Sequence, residues 1–428
     1  MFKRINLLFD ASSIVEGFSS YGLDRSGIYW VSYNLLKHFN SAPAYKITLM
    51  VSPCTFFIKK RIANHFQSSY NYITFYDKEK SHHNIIALKS KITNTRNILK
   101  ICYYILRIIE NLLYMYLSKS LPKKLNHFDI FVSPKYSIPD IIKSNPFVKH
   151  FQVLYDCIPC IFKELYPFIN SNHWYMKVIK SLNKDTYYFC ISENTKNDFL
   201  RIFHAQLDSG KMFVIMNASA LNFSPQYSKE ILYAKLKKYN INLDANSQYI
   251  LSLCTIEPRK NLLFAVKCFI EFLKMHQVDN LYFYLGGGHF SGYIDQLKQN
   301  ISGFSEYQDK IIILGYVDDS DVNILFSNSL FFVYLSQYEG FGMPPLEAMQ
   351  AGTPVICSNN SSLPEVVGDA AITIQYNDET SCIEAMEKLY FNETLRKDYI
   401  SKGLERGKLF SWEKTFKQVN DVIMSLHN

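Results

Sequence analysis

Short runs of apolar residues recur along the whole chain and are separated by segments with helical periodicity. Most of these runs are nearly continuous rather than alternating with polar residues, which indicates strands that are buried on both faces. Strands of this kind are typical of parallel sheets covered by helices. The predicted strands span residues 5–9, 47–51, 73–76, 130–133, 151–155, 187–191 and 213–216 in the first half of the chain, and 249–253, 281–285, 311–314, 330–335, 355–357 and 372–374 in the second half.

Helical segments lie between the strands, for example at residues 262–274 and 382–390. The alternation of strand and helix predicts an α/β fold with a doubly wound sheet, and the two series of strands predict that this arrangement occurs twice. The chain has 428 residues, whereas a single hydrophobic core stops growing at about 250–300 residues. We therefore expect two domains joined at the polar stretch 222–228, with a basic helix at 229–239 opening the second half.

The composition restricts the classes of protein that fit this pattern. Hydrophobic residues make up 48% of the chain and charged residues 20%, which excludes a disordered or collagen-like protein. The formal net charge of +8 is small for this length and the lysines are scattered, so nucleic-acid binding is not favoured. Anionic small molecules or an acidic membrane surface fit this charge better.

The cysteines and the apolar segments give expectations about the compartment. The nine cysteines are an odd number spread from Cys54 to Cys382, which favours reduced thiols in a cytosolic compartment. Cys157 and Cys160 have CxxC spacing without a second pair, so we interpret them as packing residues rather than as a zinc or redox site. The apolar run 5–9 is shorter than the ~7–15 residues of the apolar segment in a signal peptide. The sequence contains no uninterrupted run of ~18 apolar residues, so no transmembrane span is predicted.

A glycine-rich loop follows the predicted strand 330–335 and leads into a helix. We expect this helix to begin near Pro344, because proline suits a first helical turn, and to end at Gly352. Within the loop, Gly340 and Gly342 let the backbone approach a ligand closely and direct free N–H groups at it. Those groups and the helix dipole favour an anion or sugar hydroxyls at this position.

Two carboxylates accompany this loop. Glu339 lies at its start, and we expect Glu347 on the first turn of the helix, so that both carboxylates face one pocket. The alternative is that Glu347 only complements the dipole of its own helix and that the glycines only form a turn.

A basic cluster with the sequence TIEPRKNL follows the predicted strand 249–253. Arg259 offers a planar fork for phosphate oxygens and Lys260 a compact positive charge, so the pair is typical of a diphosphate clamp. Asn261 is placed to cap the helix that follows. The alternative is a solvated pair of basic residues. Ligands of doubly wound folds bind outside the carboxyl ends of the strands, which favours the clamp.

A glycine triplet, Gly286 to Gly288, follows another predicted strand. A dinucleotide fingerprint that starts at Gly286 would need glycine at Ser291, so the GxGxxG spacing is not met. The first predicted strand, 5–9, is followed by Asp10 and small residues rather than by glycines. NAD binding is therefore disfavoured, and we interpret the triplet as a tight turn.

The segment 339–371, EGFGMPPLEAMQAGTPVICSNNSSLPEVVGDAA, together with TIEPRKNL, resembles the family-4 retaining glycosyltransferases of the GT-B fold. Weaker similarities extend over nearly the whole chain and are strongest in its C-terminal half. They comprise Ser26-Gly27-Ile28, similar to the family's N-terminal glycine loop, Ser192-Glu193-Asn194, similar to its SE-S turn, Gly315-Tyr316-Val317, similar to its base-side loop, and Phe410-Ser411-Trp412, similar to its closing helix.

The resemblance implies two Rossmann-like, doubly wound domains that face a central cleft. Residues 1–225 would form an acceptor-binding domain, and residues 226–408 would form a nucleotide-sugar-binding domain. The remaining residues, 409–428, would form a C-terminal helix that crosses back to the N-terminal domain.

The resemblance also implies roles for individual side chains. Arg259 and Lys260 would hold the diphosphate of a nucleotide sugar, and Glu347 would accept hydrogen bonds from the ribose hydroxyls. Gly27, from the other domain, would let a backbone amide approach the phosphate across the cleft. Asp156 matches the Asp of a His-Asp pair that lies near the sugar in many relatives.

Two loops would border the rest of the donor. One faces the transferred sugar and the other faces the base. The sugar-side residues are Glu339, Gly340, Phe341 and Gly342, and the base-side residues are Gly315, Tyr316 and Val317. The residues predicted to act in catalysis are Asp156, Arg259, Lys260 and Glu339.

Three positions depart from the family's pattern. Tyr155 stands where the family usually has the His of the His-Asp pair. Ala218 follows Asn217 where the family usually has glycine, and Leu335 replaces a common proline. These departures leave the diphosphate clamp in place, but they argue against assigning the donor sugar by analogy.

The chemistry of such a site follows from charge. Breaking a sugar–diphosphate bond places negative charge on the diphosphate and positive charge on the sugar ring. Arg259, Lys260 and the helix N-terminus before Glu347 are placed to stabilise the diphosphate. We interpret the acidic run 318–321 as helix capping rather than as a metal site, so no metal or other cofactor is expected. The resemblance implies retention by front-face attack, with the departing phosphate as base.

One segment has a possible membrane role by its pattern. Residues 98–125 combine Leu, Ile and Tyr with basic residues such as Lys119, Lys123 and Lys124. At helical spacing these residues would form an amphipathic surface that lies on anionic lipid or receives a lipid-linked acceptor. The alternative is a core-facing helix with a solvated basic side.

These inferences predict a hexosyltransferase that binds a nucleotide-sugar donor and a saccharide or lipid-linked saccharide acceptor. The resemblance implies bacterial surface polysaccharide synthesis, such as O-antigen or capsule, in the cytoplasm at the inner face of the membrane, with mannose from GDP-mannose as the first donor expected. The alternatives are a nucleotide-sugar epimerase on the same fold and a catalytically silent binding subunit of a glycan-assembly complex. A phosphorylase would need a pyridoxal phosphate lysine and a longer chain, and neither is evident.

Overall fold

Two parallel β-sheets covered by helices organise the chain. They are seen in a computed structural model that describes most residues of the chain. These are 4–19, 27–51, 56–74, 105, 108, 125–239, 241, 246–288, 292–304 and 306–427.

The first sheet belongs to the N-terminal half and has the strand order β3-β2-β1-β4-β5-β6-β7. All neighbouring strands are parallel. The chain moves outward from β1 to β3 and then returns to the other side of β1, so the order reverses between β1 and β4. The strands are β1 (Ile5–Asp10), β2 (Tyr45–Val51), β3 (Asn71–Thr74), β4 (Ile130–Ser133), β5 (Lys149–Leu154), β6 (Tyr187–Cys190) and β7 (Met212–Val214).

The second sheet belongs to the C-terminal half and has the order β10-β9-β8-β11-β12-β13, again with parallel neighbours. Its order reverses between β8 and β11. The strands are β8 (Gln248–Leu253), β9 (Leu281–Gly286), β10 (Ile311–Gly315), β11 (Phe332–Tyr334), β12 (Val355–Ser358) and β13 (Ile372–Ile374).

Helices fill most of the connections between strands, as parallel pairing requires. Four single 3₁₀ turns, Lys163–Leu165, Ser209–Lys211, Pro258–Lys260 and Gln308–Lys310, lie among them. The described α-helices are α1 (Ser12–Ser19), α2 (Gly27–Ser41), α3 (Phe56–His65), α4 (Asp140–Lys143), α5 (Ile158–Ile161), α6 (Trp174–Lys180), α7 (Glu193–Phe203), α8 (Lys229–Lys238), α9 (Leu262–His276), α10 (Tyr293–Ser302), α11 (Asp319–Ser327), α12 (Met343–Gln350), α13 (Leu363–Val367), α14 (Glu379–Phe391), α15 (Glu393–Gly407) and α16 (Trp412–His427).

The predicted fold class is confirmed, because each predicted strand has a counterpart in the two parallel sheets. The central strands β4, β11 and β12 are buried at every residue, as their continuous apolar character predicts. The strand predicted at 330–335 shortens to β11, since residues 330, 331 and 335 lie outside the strand that pairs with its neighbours. The strand predicted at 73–76 begins two residues earlier as β3, and its residues 75–76 lie outside the described residues.

The two halves are connected twice. Residues 215–228 lead from β7 to α8, and the C-terminal helix α16 packs back onto α2 of the first domain. The ring of Phe416 on α16 lies 5.5 Å from that of His38 and 5.0 Å from that of Phe39. The limits of the two domains stay a prediction, and the first sheet lies within residues 1–225 and the second within 226–408.

The described helices include none with both the length and the apolar character needed to cross a bilayer. The segment 98–125, predicted to be amphipathic, lies outside the described residues except for residues 105, 108 and 125. Its membrane role therefore stays a prediction.

Candidate active site

The carboxyl ends of β8 and β11 bring two predicted motifs together, because the strand order of the second sheet reverses between these strands. The turn Pro258–Lys260 follows β8, and the glycine-rich loop follows β11. Arg259 and Lys260 are only 6% and 9% exposed. The alternative of a solvated basic pair is therefore wrong.

Lys260, Tyr334 and Glu339 form a buried hydrogen-bonded triangle. Nζ of Lys260 lies 2.6 Å from Oε1 of Glu339 and donates to the Tyr334 hydroxyl at 2.7 Å. The Tyr334 hydroxyl donates to the same Oε1 at 2.8 Å. Sequence analysis missed Tyr334, because a tyrosine at the end of a buried apolar strand gives no separate signal.

Arg259 extends this cluster towards the N-terminal domain. Its Nη1 lies 3.0 Å from Oε1 of Glu339 and also donates to the carbonyl of Tyr338. Its Nη2 pairs with Glu257, and its Nε donates at 3.1 Å to the hydroxyl of Tyr166, a residue of the first domain. Arg259 therefore contacts residues of both domains. Glu257, which lies within the TIEPRKNL motif, and Tyr166 were not singled out from the sequence.

The two cations decide the ionisation of Glu339. Burial by itself would raise the pKa of this carboxyl, but the charges of Lys260 and Arg259 outweigh burial and hold the pKa at about 2. Burial raises the pKa of Tyr334 well above its ordinary value. Glu339 is therefore a carboxylate at neutral pH, and the tyrosine beside it remains a hydrogen-bond donor.

The glycine-rich loop meets the N-terminal domain at Asp156. A Cβ atom on Gly340 would lie 2.7 Å from the Cβ of Asp156 and 3.1 Å from the carbonyl oxygen of Tyr155. Gly342 has a φ of +109°, and a Cβ atom there would lie 2.7 Å from Leu363. Close approach thus requires both glycines, so they do more than form a turn.

Asp156 follows β5 and accepts a hydrogen bond from the backbone amide of Ile158 at 3.0 Å. Burial raises the pKa of Asp156, and the nearby charge of Arg259 acts in the opposite direction. Tyr155, the residue that replaces the family's His, donates its hydroxyl to the carbonyl of Pro134 at 2.7 Å. That hydroxyl is therefore used inside the N-terminal domain.

Glu347 lies in different surroundings from Glu339. Helix α12 begins at Met343, one residue before the predicted start, so Glu347 is its fifth residue and lies beyond the first turn. This corrects the predicted position. Burial raises the pKa of Glu347 to about 8, and a hydrogen bond from the backbone of Ala220 partly offsets the effect. The two carboxyls therefore do not share one electrostatic environment.

The base-side loop follows β10. Gly315 has a φ of +70°, Tyr316 is 69% exposed, and Val317 is buried against Gly286. Tyr316 is thus the side chain of this loop that a ligand can reach. Gly27 begins α2, and among the described residues no atom outside its chain neighbours and its own helix backbone lies within 4 Å of a Cβ atom added to it. The roles assigned to both loops stay predictions.

Two predicted helix caps are wrong. Asn261 has a φ of 58°, and its side-chain amide donates to the carbonyl of Tyr376 at 2.7 Å instead of capping α9. Asp318 occupies the N-cap position of α11 without a side-chain cap bond. Asp321, which is fully buried, pairs with Lys235 at 2.6 Å, so it fastens α8 to α11.

The remaining motifs are structural. A Cβ atom on Gly287 would lie 1.9 Å from the carbonyl oxygen of Cys254, so the glycine triplet is a tight packing turn, as predicted. Cys157 is buried, and the sulfur of Cys160 lies 3.5 Å from the hydroxyl of Tyr175. Within the described ranges, no three His, Cys, Asp or Glu side chains converge on a point where they could hold a metal ion.

Comparison with known proteins defines the class to which this site belongs. A sequence model of the family described as glycosyl transferases group 1 matches residues 235–406, which include the second sheet and the cluster around Glu339. The O-antigen chain mannosyltransferase B of Escherichia coli is 29% identical over 289 residues, which cover 68% of this chain and 72% of that protein. The serotype-specific mannosyltransferase WbdA of Escherichia coli is 27% identical over 267 residues, which cover 61% of this chain and only 32% of WbdA.

A solved structure shows the same fold. The crystal structure of Anabaena Alr3699/HepE in complex with UDP and glucose has a TM-score of 0.64 and 13% sequence identity, and the match covers 99% of this chain and 100% of that one. The fold and these matches identify a glycosyltransferase with the GT-B fold. Within the chain, the similarity to the glycosyl transferases group 1 family extends over residues 235–406.

Proposed function

We propose that the chain is a mannosyltransferase that uses GDP-mannose, retains the anomeric configuration and extends a surface polysaccharide. The observation that carries the proposal is the buried cluster of Arg259, Lys260 and Glu339 at the reversal point of the second sheet, opposite Asp156 of the first domain. The Escherichia coli relatives are both named mannosyltransferases, which favours mannose as the transferred sugar.

Donor binding exchanges the partners of these charges. Without donor, Glu339 is the carboxylate that contacts both Lys260 and Arg259. A diphosphate carries more negative charge than one carboxylate, and its oxygens match the planar fork of Arg259. The diphosphate therefore competes for both cations. Glu339 is then free to accept hydrogen bonds from the hydroxyls of the sugar.

Cleavage of the donor depends on stabilising the charge that develops. Negative charge grows on the leaving diphosphate, next to Arg259, Lys260 and the N–H groups of the glycine-rich loop. Losing one preorganised group of this kind costs roughly 10²–10³ in kcat. The acceptor hydroxyl attacks from the face that the diphosphate leaves, and the departing phosphate oxygen takes its proton, so the configuration is retained without a metal ion.

The acceptor is a saccharide or lipid-linked saccharide that the N-terminal domain holds against the donor. The chain acts on the cytoplasmic side of the membrane, where the segment 98–125 provides peripheral contact. Its basic and apolar residues suit an anionic lipid surface. Co-sedimentation with anionic rather than neutral liposomes tests this part of the proposal, with charge reversal at Lys119, Lys123 and Lys124 as the control.

Urea unfolding in the presence of nucleotides tests the donor. A ligand at ~100 times its Kd should raise the free energy of unfolding by about 2.7 kcal/mol. We expect this increase with GDP and GDP-mannose, with or without EDTA, a smaller one with UDP-glucose, and none for the Arg259→Ala variant. Transfer of labelled mannose to a lipid-linked saccharide, with NMR of the product, then tests retention.

Other outcomes would replace the proposal. If no nucleotide raises the free energy of unfolding, a catalytically silent binding subunit would be favoured. Conversion of GDP-mannose into another nucleotide sugar in the absence of acceptor would favour an epimerase.

A further inference from the structure

The N-terminus of helix α7, which belongs to the first domain, contacts the glycine-rich loop of the second. The Ser192 hydroxyl, which is fully buried, donates to the carbonyl of Gly340 at 2.7 Å. It also accepts a hydrogen bond from the amide of Thr195 at 3.0 Å, which makes it the N-cap of α7. The Thr195 hydroxyl lies 3.1 Å from the same Gly340 oxygen and donates to the carbonyl of Tyr155 at 2.8 Å. One carbonyl of the donor-side loop is therefore held from the opposite domain.

The same helix also holds the loop on the other side of Glu339. The hydroxyl of Tyr338 donates to Oδ2 of Asp198 on α7 at 2.5 Å. The side-chain amide of Asn194 lies 3.3 Å from that hydroxyl. Tyr338 and Gly340 are the two neighbours of Glu339 in the chain, so α7 contacts the residues on both sides of this carboxylate, through a side chain at Tyr338 and through the backbone at Gly340.

A carboxylate of the second domain completes the contact. The two oxygens of Glu365, on the short helix α13, accept hydrogen bonds from the backbone amides of Glu193 at 2.8 Å and Asn194 at 2.7 Å. These amides are unpaired within the first turn of α7 and carry the positive end of its dipole. Arg406 holds α13 in place through the carbonyls of Glu365 and Val366. The contact therefore pairs complementary charges across the domain interface.

We propose that the N-terminus of α7 positions Glu339 for catalysis, with Ser192 as the principal positioning residue. The contact from α7 sets the orientation of the Gly340 peptide and of the carboxylate before it. This inference rests on the proposed glycosyl transfer, because it assigns how that same site is assembled.

The hydrogen bond from Ser192 can position Glu339 because the carbonyl of Gly340 that accepts it is buried. A buried carbonyl oxygen that loses the nearer of its two hydroxyl partners is destabilised, and a glycine peptide can rotate to find another partner. Rotation would redirect the N–H groups that face the donor. The nucleotide itself is predicted to contact Arg259, Lys260 and Gly27, none of which lies on α7, so its binding does not need α7.

The test compares Ser192→Ala with Ser228→Ala, a matched control. Ser228 also caps a helix, since it accepts a hydrogen bond from the amide of Ile231 at 3.3 Å, but it caps α8 away from the interface. We expect Ser192→Ala to lower kcat for mannose transfer from GDP-mannose tenfold to a hundredfold, roughly the effect of one buried hydrogen bond. The Kd for GDP, measured by calorimetry, should change less than about threefold. Ser228→Ala should leave both quantities within about twofold of the wild type.

A second variant tests the same contact in case Ser192→Ala does not fold. Tyr338→Phe removes only a partly buried hydroxyl, and we expect it to lower kcat threefold to tenfold with an unchanged Kd for GDP. Equal kcat values for Ser192→Ala and Ser228→Ala, or a loss of GDP binding parallel to the loss of kcat, would overturn the positioning role. A wild-type protein that neither binds GDP nor transfers mannose would instead overturn the proposed function.

Discussion

Glu339 and Glu347 stand in one glycine-rich motif, yet the structure shifts the pKa values of their carboxyls in opposite directions. Two cations outweigh burial at Glu339 and hold its pKa at about 2. Among the described residues no such cation compensates for burial at Glu347, and its pKa rises to about 8. One carboxyl is therefore ionised and the other largely protonated at neutral pH. Divergent pKa values of this kind are typical of functional sites.

The raised pKa of Glu347 predicts a pH dependence of stability. Its carboxyl stays protonated in the folded chain between its ordinary pKa of 4.5 and about 8, whereas it ionises in the unfolded chain. The contribution of Glu347 to the free energy of unfolding is therefore fully present below pH 4.5 and is lost as the pH rises to about 8. The Glu347→Gln variant should lose this part of the pH dependence, measured by urea unfolding at pH 5, 6.5 and 8. Glu405→Gln, on exposed helix α15, is the control, and equal curves for the two variants would contradict the prediction.

The pairing of Lys260 with Glu339 predicts a large loss of stability when one partner is removed. Lys260→Met leaves Glu339 buried with one cation fewer, which should lower the free energy of unfolding by about 3 kcal/mol. Adding Glu339→Gln should restore much of the stability but none of the transfer activity, because the charges serve catalysis. The exposed pair of Lys274 and Glu271 gives the control, since Lys274→Met should cost less than about 1 kcal/mol. A double variant no more stable than Lys260→Met alone would speak against an ion pair as the cause.

The contact of Gly340 with Asp156 predicts that a single methyl group obstructs the cleft. In Gly340→Ala the new Cβ would lie 2.7 Å from the Cβ of Asp156, so the loop or the domain interface must shift. We expect kcat to fall at least tenfold while GDP binding to the second domain persists. Small-angle scattering should show a larger radius of gyration with GDP-mannose than for the wild type. Gly288→Ala is the control, because no atom of the described residues beyond its chain neighbours lies within 4 Å of its added Cβ, and equal losses in both variants would refute the prediction.

The hydrogen bond from Tyr155 to the carbonyl of Pro134 predicts a structural rather than a catalytic role for the tyrosine hydroxyl. Tyr155→Phe should lower the free energy of unfolding by about 1 kcal/mol, because the buried carbonyl loses its donor. The kcat for mannose transfer should stay within about threefold of the wild type. A loss of kcat near a hundredfold at unchanged stability would show instead that the hydroxyl acts on the substrate.

Sequence patterns predicted the strands well because burial on both faces leaves a local signature. The run 130–133 is strand β4, and the run 372–374 is strand β13. The residue types at helix starts, in contrast, predicted helix caps that the structure does not show. Asn261 lies where a cap was expected, but its side chain is drawn to the carbonyl of Tyr376, a residue far along the chain. Local composition cannot report a partner that only the folded chain brings close.

The sequence by itself determined the two doubly wound domains and the two motifs that follow β8 and β11, because hydrophobic periodicity and glycine placement act over a few residues. Only the tertiary structure decided that Lys260 and Glu339, 79 positions apart, share a hydrogen bond, and that Ser192 reaches Gly340 over 148 positions. Both contacts depend on which strands lie side by side and on how the two domains meet. Strand order and domain contact arise from packing of the whole chain, and no local pattern encodes them.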